Sequence, residues 1–333
     1  MELNLTQKHL VKLLFLRGEE SRKALALSLG LSNPGLTLSV KSMLEDGVLL
    51  LGNKIQTGKA GRNQEPLRLN PNYGYFIGVD IRKHYCYVCL TDFAGALLSE
   101  ERYDTVLALE KALEELTKSY KVLEIVFTVR NFKNIPSFLK VRQDLYALKA
   151  RLEEKGNNVT FINNVESLAA IYHLYHPQEE NFLLVKYGPG LGSAIYVHGE
   201  AIRRSNGMTS EIGHAYLQDG RMLENLVSFD ALFDHEVEEE EGAKLLLGDP
   251  EKLQEVVDYL AITFLDADQL LALDKIVFTG HLLTLEEVRR KVVEKMKSID
   301  PKFDGEKVVP FENYEELNRK KGGLQGFILR YDE

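Results

Sequence analysis

Apolar residues recur at helical spacing in three segments near the start of the chain. The first segment covers residues 5–17 and is ended by Gly18. Ser21 is a suitable N-cap for a second helix, which Gly30 ends, and Ser32 caps a third. The apolar stripe of the third helix consists of Leu36, Val40, Met43 and Leu44. Three helices separated by glycine turns predict a helix-turn-helix motif.

Short strands follow the third helix. Val48–Leu51 and Lys54-Ile55 are separated by a turn and predict two strands with a polar tip, which together form a wing. Lys59 and Arg62, just beyond them, are placed to contact phosphates. A turn-rich linker at 70–74 then ends the segment. We therefore predict a winged helix-turn-helix domain over residues 1–70, with a three-helix interaction domain as the alternative.

From Tyr75 the pattern changes to strands alternating with helices. In the first half the pattern predicts strands near 75–81, 84–91, 96–103, 123–129 and 159–162, with helices near 106–121 and from Val165. In the second half it predicts strands near 182–187, 193–198, 200–203, 275–279 and 307–309, with helices near 223–241, 251–273, 284–298 and at the C-terminus. A similar order of elements occurs twice. We therefore predict an α/β body with two lobes, residues 71–180 and 181–333.

Composition and charge add to this picture. The 333 residues are 44% hydrophobic and 27% charged, as expected of a globular protein with two or three domains. Residues 1–70 carry ten Lys and Arg against six Asp and Glu, a net of +4, and the rest carries 31 against 44, a net of −13. A basic segment on an acidic body favours a nucleic-acid-binding module. Because no apolar run could span a membrane and no secretory signal is evident, we expect a cytoplasmic protein.

Both cysteines lie in the segment Cys86-Tyr87-Val88-Cys89. The alternating pattern around them predicts a strand, on which residues three apart point to opposite faces. We therefore expect two buried thiols and not a metal or redox pair.

Three glycines separate two predicted strands in the segment that ends at His214. Gly188, Gly190 and Gly192 allow a sharp turn and bring backbone N–H groups close to an anion or ligand. The turn alone is equally consistent with a hairpin that binds nothing. Glu211 and His214 follow it three residues apart, where a carboxylate and an imidazole can converge on one small polar molecule.

This order of glycine-rich turn, strand and Ser210-Glu211-Ile212-Gly213-His214 resembles the signature of the ROK family of sugar kinases and sugar-responsive repressors, whose pentapeptide begins with glycine. Further matches to ROK repressors are Ser21-Arg22, Leu25-Ala26, Gly30-Leu31-Ser32, Gly61-Arg62 and Leu67-Arg68-Leu69-Asn70. The resemblance covers nearly the whole chain. It implies an actin-like ATPase (ribonuclease H-like) body with two lobes, ligand binding in the cleft between them, a homodimer and operator DNA as partner.

Departures from ROK kinases concern the groups that perform phosphoryl transfer. The family loop Asp-x-Gly-Gly-Thr reads Asp80-Ile81-Arg82-Lys83-His84, so side chains replace both glycines, although two basic residues could still attract phosphate. The family pair Asn-Asp, whose Asp is the general base, corresponds to Asn163-Asn164. An amide cannot accept a proton, and such a base is worth ~10²–10⁴-fold in rate. The resemblance thus leaves Asp80, Gly188, Gly190, Gly192 and Gly280 as remnants of nucleotide loops, and we expect binding without catalysis.

ROK proteins also hold a structural zinc with the pentapeptide histidine and a cysteine-rich loop. Here no cysteine follows His214, and Met222-Leu223-Glu224 stands where the family has Cys-Leu-Glu. A single His cannot hold zinc, so we expect no metal and no other cofactor, while Glu224 keeps the position of a sugar contact. The acidic run Glu236–Glu241 is predicted to be solvated surface.

These patterns predict a sugar-responsive transcriptional regulator, a repressor with a catalytically inactive sensor body. The ligand-binding candidates, whose amides and carboxylates suit a polyol, are Asn163, Asn164, Glu211, His214 and Glu224. The DNA-binding candidates, with base contacts expected from the third helix, are Arg22, Asn33, Thr37, Ser39, Lys41, Lys59 and Arg62. Two alternatives remain open: an active ATP-dependent sugar kinase, and a regulator that binds DNA independently of any sugar.

Overall fold

The computed structural model describes residues 3–52, 65–129, 143–205, 207, 209–217 and 219–331. The chain divides into two compact units, which we call unit 1 (Met1–Ile162 with Arg319–Glu333) and unit 2 (Asn163–Asn318). The second boundary falls inside the C-terminal helix.

The N-terminal part of unit 1 contains three helices and a small sheet. Its elements are α1 (Leu5–Arg17), β1 (Glu19–Glu20), α2 (Arg22–Ser28), α3 (Asn33–Glu45), β2 (Leu49–Leu51) and β3 (Leu67–Leu69). The side chains of Asn4, Ser21 and Ser32 accept hydrogen bonds from the first turns of the three helices. Strand β3 pairs antiparallel with both β1 and β2. The three predicted helices are confirmed, β1 and β3 were not predicted, and Lys54-Ile55, Lys59 and Arg62 lie outside the described residues.

The rest of unit 1 is built on a mixed five-stranded sheet. Its elements are β4 (Tyr75–Ile81), β5 (Cys86–Asp92), β6 (Leu97–Tyr103), α4 (Val106–Ser119), β7 (Val122–Val129), α5 (Gln143–Glu154) and β8 (Val159–Asn163), with strand order β6-β5-β4-β7-β8. Helix α5 was not predicted.

Unit 2 repeats this arrangement and contains additional helices. Its elements are α6 (Asn164–Tyr175), β9 (Phe182–Tyr187), β10 (Leu191–Val197), β11 (Glu200–Ala201), α7 (Glu224–Val227), α8 (Phe229–Leu232), α9 (Glu239–Leu247), α10 (Pro250–Leu271), β12 (Lys275–Thr279), α11 (Glu286–Ile299), β13 (Val308–Pro310) and the start of α12 (Tyr314–Tyr331). The strand order is β11-β10-β9-β12-β13. In both sheets the first strand of an antiparallel meander also pairs with a parallel strand, β4 with β7 and β9 with β12, and one more strand follows. The predicted repeat and the α/β class are therefore confirmed.

The sheet of unit 1 is covered on both faces by apolar packing that follows the alternation of its strands. In β4, Ile77 and Val79 belong to a buried cluster with residues of α4 and α5. On the opposite face Phe76 packs with Phe327 of α12 and with the core of the N-terminal helices. Between them Gly78 permits close helix-to-sheet packing, because a Cβ at this position would lie 2.8 Å from the Cα of Gly322.

Both cysteine side chains are buried and unoxidised, as predicted. Burial raises the pKa of the Cys86 thiol to about 12 and that of Cys89 to about 11. Among the helices of the described residues, none combines the length and the apolar content needed to cross a bilayer.

The acidic run Glu236–Glu241 departs from the prediction of a solvated surface. Val237 is buried, and the side chain of Glu239 is only 12% exposed because it turns inward to pair with the buried Lys186. The prediction was wrong for Glu239. A run of like charges contains no signal for which of its members faces inward.

Candidate functional site

The candidate site of unit 2 begins where β8 meets α6. Asn163 caps α6: its Oδ1 accepts hydrogen bonds from the backbone N–H groups of Val165 at 2.8 Å and Glu166 at 3.3 Å. Since the cap engages Oδ1, the amide presents Nδ2 as its donor, and this atom lies 3.4 Å from Glu211 Oε1. The adjacent Asn164 is the first residue of α6 and is only 4% exposed.

The pentapeptide folds as a 3-10 turn on the start of β10. The backbone N–H of Ile212 donates to Ser193 Oγ at 2.8 Å. Gly213 lies so close to this strand that a Cβ would be 2.3 Å from the carbonyl oxygen of Leu191. These contacts place Glu211, which is 8% exposed at its side chain, and His214, which is 31% exposed, on the same side of the turn.

Glu224 is brought to the same place by the glycine-rich turn between β9 and β10. Its Oε1 accepts from the backbone N–H of Leu191 at 3.2 Å, and a Cβ on Gly190 would lie 2.6 Å from that oxygen. The missing side chain at position 190 leaves the space in which the Glu224 carboxylate lies against the turn. A backbone N–H of the glycine-rich turn thus donates to the Glu224 carboxylate. The sequence analysis predicts that such N–H groups face an anion or ligand.

His214 lies between the two carboxylates. Its Nε2 is 3.5 Å from Glu211 Oε2 and 3.7 Å from Glu224 Oε2. Its Nδ1 is 3.5 Å from an Nη atom of Arg204. A guanidinium can only donate, so Nδ1 serves as acceptor and the proton of a neutral ring sits on Nε2, facing the carboxylates. Distances of this length leave these polar groups able to tighten around an added hydroxyl group.

The loop that leads to the pentapeptide is held by a buried carboxylate. Glu166, 5% exposed, accepts from Thr209 Oγ1 at 2.7 Å and from Arg203 Nε at 2.8 Å. Arg203 and Thr209 also form an isolated antiparallel bridge. The loop therefore enters the site with its ends fixed to α6, and this fixes the position of Arg204.

Together these side chains offer both acceptors and donors. The carboxylate oxygens accept, whereas Asn163 Nδ2 and His214 Nε2 donate, a combination that matches hydroxyl groups, each of which does both. The structure thus brings together Asn163, Glu211, His214 and Glu224 with Gly190. The side chains near His214 do not form a set of zinc ligands: within the described ranges no group of three His, Cys, Asp or Glu side chains could hold a metal.

Asp80, the remnant in unit 1, is enclosed by its own neighbours. Its Oδ2 pairs with an Nη atom of Arg82 at 2.6 Å and with Lys321 Nζ at 2.8 Å, and its Oδ1 accepts from Thr128 Oγ1 at 2.9 Å. Lys321 is 1% exposed. Two cations of the chain thus neutralise this carboxylate. In unit 2, Gly188 and Gly280 lie beside Glu239, and Gly192 packs on Val165.

The DNA-binding candidates differ in exposure. Arg22, Thr37 and Lys41 are exposed, and the last two lie one turn apart on α3. Lys41 Nζ is 3.8 Å from Glu45 Oε1, a weak surface pair. Ser39 is half-buried. Asn33 is the first residue of α3.

Sequence reasoning missed five residues near the sites: Lys186, Arg204, Glu166, Thr209 and Glu239. Lys186 carried a signal, because a lysine inside the apolar strand Phe182–Tyr187 must find a buried partner. Glu166 carried a similar signal, since it is an acidic residue in the largely apolar helix α6. Arg204, Thr209 and Glu239 lie in polar segments without a distinguishing pattern, and only the tertiary fold brings them to their partners.

Two mixed sheets with one shared strand order, preceded by three helices and a small sheet, define a mixed α/β protein whose body contains one sheet topology twice. A model of the ROK family matches residues 76–329, and the chain belongs to this family.

Individual relatives agree with this assignment. The xylose repressor of Staphylococcus xylosus is 22% identical over 264 residues, which are 69% of this chain and 67% of that protein. The aligned share of the matched xylose repressors runs from 51% to 67% of their length.

Two crystal structures show the shared fold. A ROK family transcriptional regulator, described as a homolog of the E. coli MLC protein, superposes with a TM-score of 0.74 at 18% identity, covering 98% of this chain and 96% of that chain. A ROK hexokinase from Thermus thermophilus superposes with a TM-score of 0.61 at 19% identity, covering 78% of this chain and 100% of that chain. The regulator matches almost the whole chain, including its N-terminal region.

Proposed function

We propose that the chain is a sugar-responsive transcriptional regulator, a repressor that binds operator DNA through residues 1–70 and senses a sugar in unit 2 without phosphorylating it. The observation that carries the proposal is the convergence of Asn163, Glu211, His214 and Glu224 at the glycine-rich turn. A polyol ligand would satisfy both the donors and the acceptors of this cluster.

Three observations support DNA binding. The chain is related to xylose repressors, and residues 1–70 carry a net charge of +4 on an otherwise acidic protein. Helix α3 follows α2 across a short turn and exposes Thr37 and Lys41 on one face. We assign α3 as the recognition helix, with Thr37 directed to base edges and Lys41 to phosphate.

The proposal of sensing without phosphoryl transfer rests on two positions. Asn164 stands where ROK kinases have their general base, and an amide cannot take the proton of a sugar hydroxyl. Asp80 is neutralised by Arg82 and Lys321. Both features favour binding over catalysis and argue against the alternative of an active sugar kinase.

The regulatory step follows from linkage. A sugar changes DNA binding only if it has different affinities for the DNA-binding and the non-binding states of the protein. We propose that the protein acts as a homodimer and that the sugar alters the spacing of its two recognition helices, since operators mirror two-fold symmetry.

The direct test first selects the DNA fragment that the protein binds and then measures how a sugar changes this binding. The purified full chain would be used to enrich fragments from a genomic library of its source organism, and binding of the enriched fragment would be followed by fluorescence anisotropy. We expect specific binding that changes at least tenfold with one sugar and is indifferent to magnesium-ATP. Enrichment of no fragment, or ATP-dependent phosphorylation of the sugar that binds, would contradict the proposal.

A further inference from the structure

Leu38 is a leucine of α3 that the fold leaves in solvent. The apolar stripe of this helix, formed by Leu36, Val40 and Met43, is turned into the core, and each of the three is at most 2% exposed. Leu38 follows Leu36 by two positions, which is about 200° around an α-helix. It therefore lies on the opposite face of α3, where it is 75% exposed. Its apolar side chain contributes little to the core and is available to a partner.

The residues beside Leu38 on this face suit a DNA duplex. Thr37 precedes it and Lys41 follows it by three positions, and both are exposed. Residues three apart are neighbours on a helix surface, so Leu38 and Lys41 share one patch of α3. The ammonium of Lys41 makes a weak surface pair with Glu45 at 3.8 Å, and a phosphate can replace this carboxylate. A duplex that Lys41 holds by a phosphate would therefore also contact Leu38.

The sequence of α3 narrows the kind of base contact that the helix can make. It contains one lysine and no arginine. In the major groove guanine is contacted chiefly by paired hydrogen bonds from arginine or lysine, whereas thymine presents a C5 methyl group that apolar side chains contact. Of the three leucines in α3, Leu36 is buried, Leu44 is half-buried and Leu38 is exposed. Leu38 is therefore the leucine of α3 that can reach a thymine methyl group.

We propose that Leu38 is a specificity-determining residue whose side chain packs against the C5 methyl group of a thymine in the major groove, with Thr37 beside it at the base edges. This inference rests on the proposed function, because it takes α3 as the recognition helix. Contact between the exposed leucine and the methyl group removes apolar surface of both from water, and a buried methyl group is worth roughly fourfold in affinity. The positive charge of residues 1–70 holds the duplex, and Leu38 distinguishes one base from another.

The test replaces thymine by uracil, which lacks the C5 methyl group and keeps the same base pairing. Synthetic duplexes of the fragment selected by the full chain would carry deoxyuridine in place of thymidine at one position at a time. Binding would be followed by fluorescence anisotropy at fixed salt. We expect the Kd of the wild-type protein to rise roughly fourfold at one thymine of each half-site, where one methyl contact is lost, and to change little at the other positions.

Variants of Leu38 connect this loss to one side chain. Leu38→Ser should bind the thymine and uracil duplexes with the same Kd at the sensitive position, whereas Leu38→Met, which stays apolar, should retain the difference. Because the position is exposed, both variants should fold, and circular dichroism checks this. If Leu38→Ser binds too weakly at the chosen salt, the comparison is made at lower salt, where phosphate contacts strengthen the complex.

Leu27→Ser is the matched control, since Leu27 is 84% exposed on α2 and lies outside the recognition helix. This variant should show the same loss on uracil substitution as the wild-type protein. Lys41→Ala should weaken binding of the thymine and uracil duplexes by the same factor, because a phosphate contact does not distinguish the two bases.

Two results would overturn the assignment of Leu38 and leave the proposed regulator intact. One is a selected fragment that the wild-type protein binds equally well with thymine and with uracil at every position. The other is a loss on uracil substitution that persists in Leu38→Ser. If the selection enriches no fragment, the proposed function and this inference are both contradicted.

Discussion

The rings of Phe15 and Phe327 stack with centroids 3.8 Å apart and an interplanar angle of 24°. Phe15 belongs to α1 and Phe327 to α12, and both lie in unit 1. The buried cluster around them also contains Phe76, Phe93 and Tyr331. The N-terminal helices therefore share a hydrophobic core with the C-terminal helix and do not form an independently packed module.

Removal of the Phe327 ring should destabilise the N-terminal helices and the sheet of unit 1 together. For Phe327→Ala we expect a loss of about 3–5 kcal/mol in the free energy of unfolding, as for other buried phenylalanines. Urea unfolding followed by circular dichroism measures it. Leu27→Ala, at a position that is 84% exposed on α2, should change the free energy by less than about 0.5 kcal/mol. Equal losses in the two variants would contradict the shared core.

Lys41→Ala tests the assignment of α3 as the recognition helix. A lysine that contacts one phosphate contributes about one unit to the slope of log K against log salt, so the variant should bind all sequences more weakly and lose roughly that unit. Anisotropy titrations at several salt concentrations measure both effects. Lys244→Ala, an exposed lysine in unit 2, should leave the slope unchanged. An unchanged slope in Lys41→Ala would remove this residue from the interface.

Thr209→Val tests the hydrogen bond that anchors the loop before Glu211 to the candidate sugar site. The variant keeps the shape but removes the hydroxyl that donates to the buried Glu166 at 2.7 Å. We expect a loss of about 1–3 kcal/mol in stability because a charged acceptor loses a buried donor. Sugar affinity should fall as well, because the loop before Glu211 loses its anchor. Thr117→Val, whose hydroxyl bonds only carbonyl groups of its own helix, serves as the control and should be nearly neutral.

Because the two cysteine thiols are buried, we predict that the free energy of unfolding falls at alkaline pH. Burial raises the pKa of Cys86 to about 12 and that of Cys89 to about 11, from an ordinary value of 9.0. For groups whose folded pKa is raised, the stabilisation of the neutral form is complete below pH 9 and is lost as the pH rises toward 11–12. A thiol reagent at pH 8 should therefore label both cysteines slowly in the native protein. In denaturant the same reagent should label both of them rapidly. Rapid labelling of native protein would show that the thiols are accessible.

The hydrophobic pattern was sufficient for most of the fold because the central strands of both sheets, β4 and β9, are largely apolar runs between turns. Helix α5 was missed although Leu145, Leu148 and Leu152 are buried along it at spacings of three and four. Strand β3 has only three residues, Leu67–Leu69, and its pairing with β1 depends on contacts distant in sequence. A run of three residues is too short for alternation to identify a strand or its partner.

The candidate site was predictable in part for a similar reason. Glu211 and His214 are adjacent on one turn, so their proximity follows from local sequence. Arg204 reaches the site only because its neighbour Arg203 and Thr209 bridge and bind Glu166 of α6. Outside the site, Glu239 turns inward to its buried partner Lys186. The charge pattern predicted an exposed acidic run, but the desolvated lysine made an inward carboxylate the more stable arrangement.

The most direct test of the account is a thermal-shift screen against mono- and disaccharides, amino sugars and sugar phosphates, with and without magnesium-ATP. We predict that one class of sugar stabilises the wild-type protein, by about 2.7 kcal/mol at a hundred times its Kd, and that nucleotide does not change the shift. Glu211→Gln should abolish it, whereas Glu200→Gln, a matched change at an exposed position on β11, should retain it. Stabilisation by no sugar, or only in the presence of magnesium-ATP, would contradict a sugar sensor that does not phosphorylate its ligand.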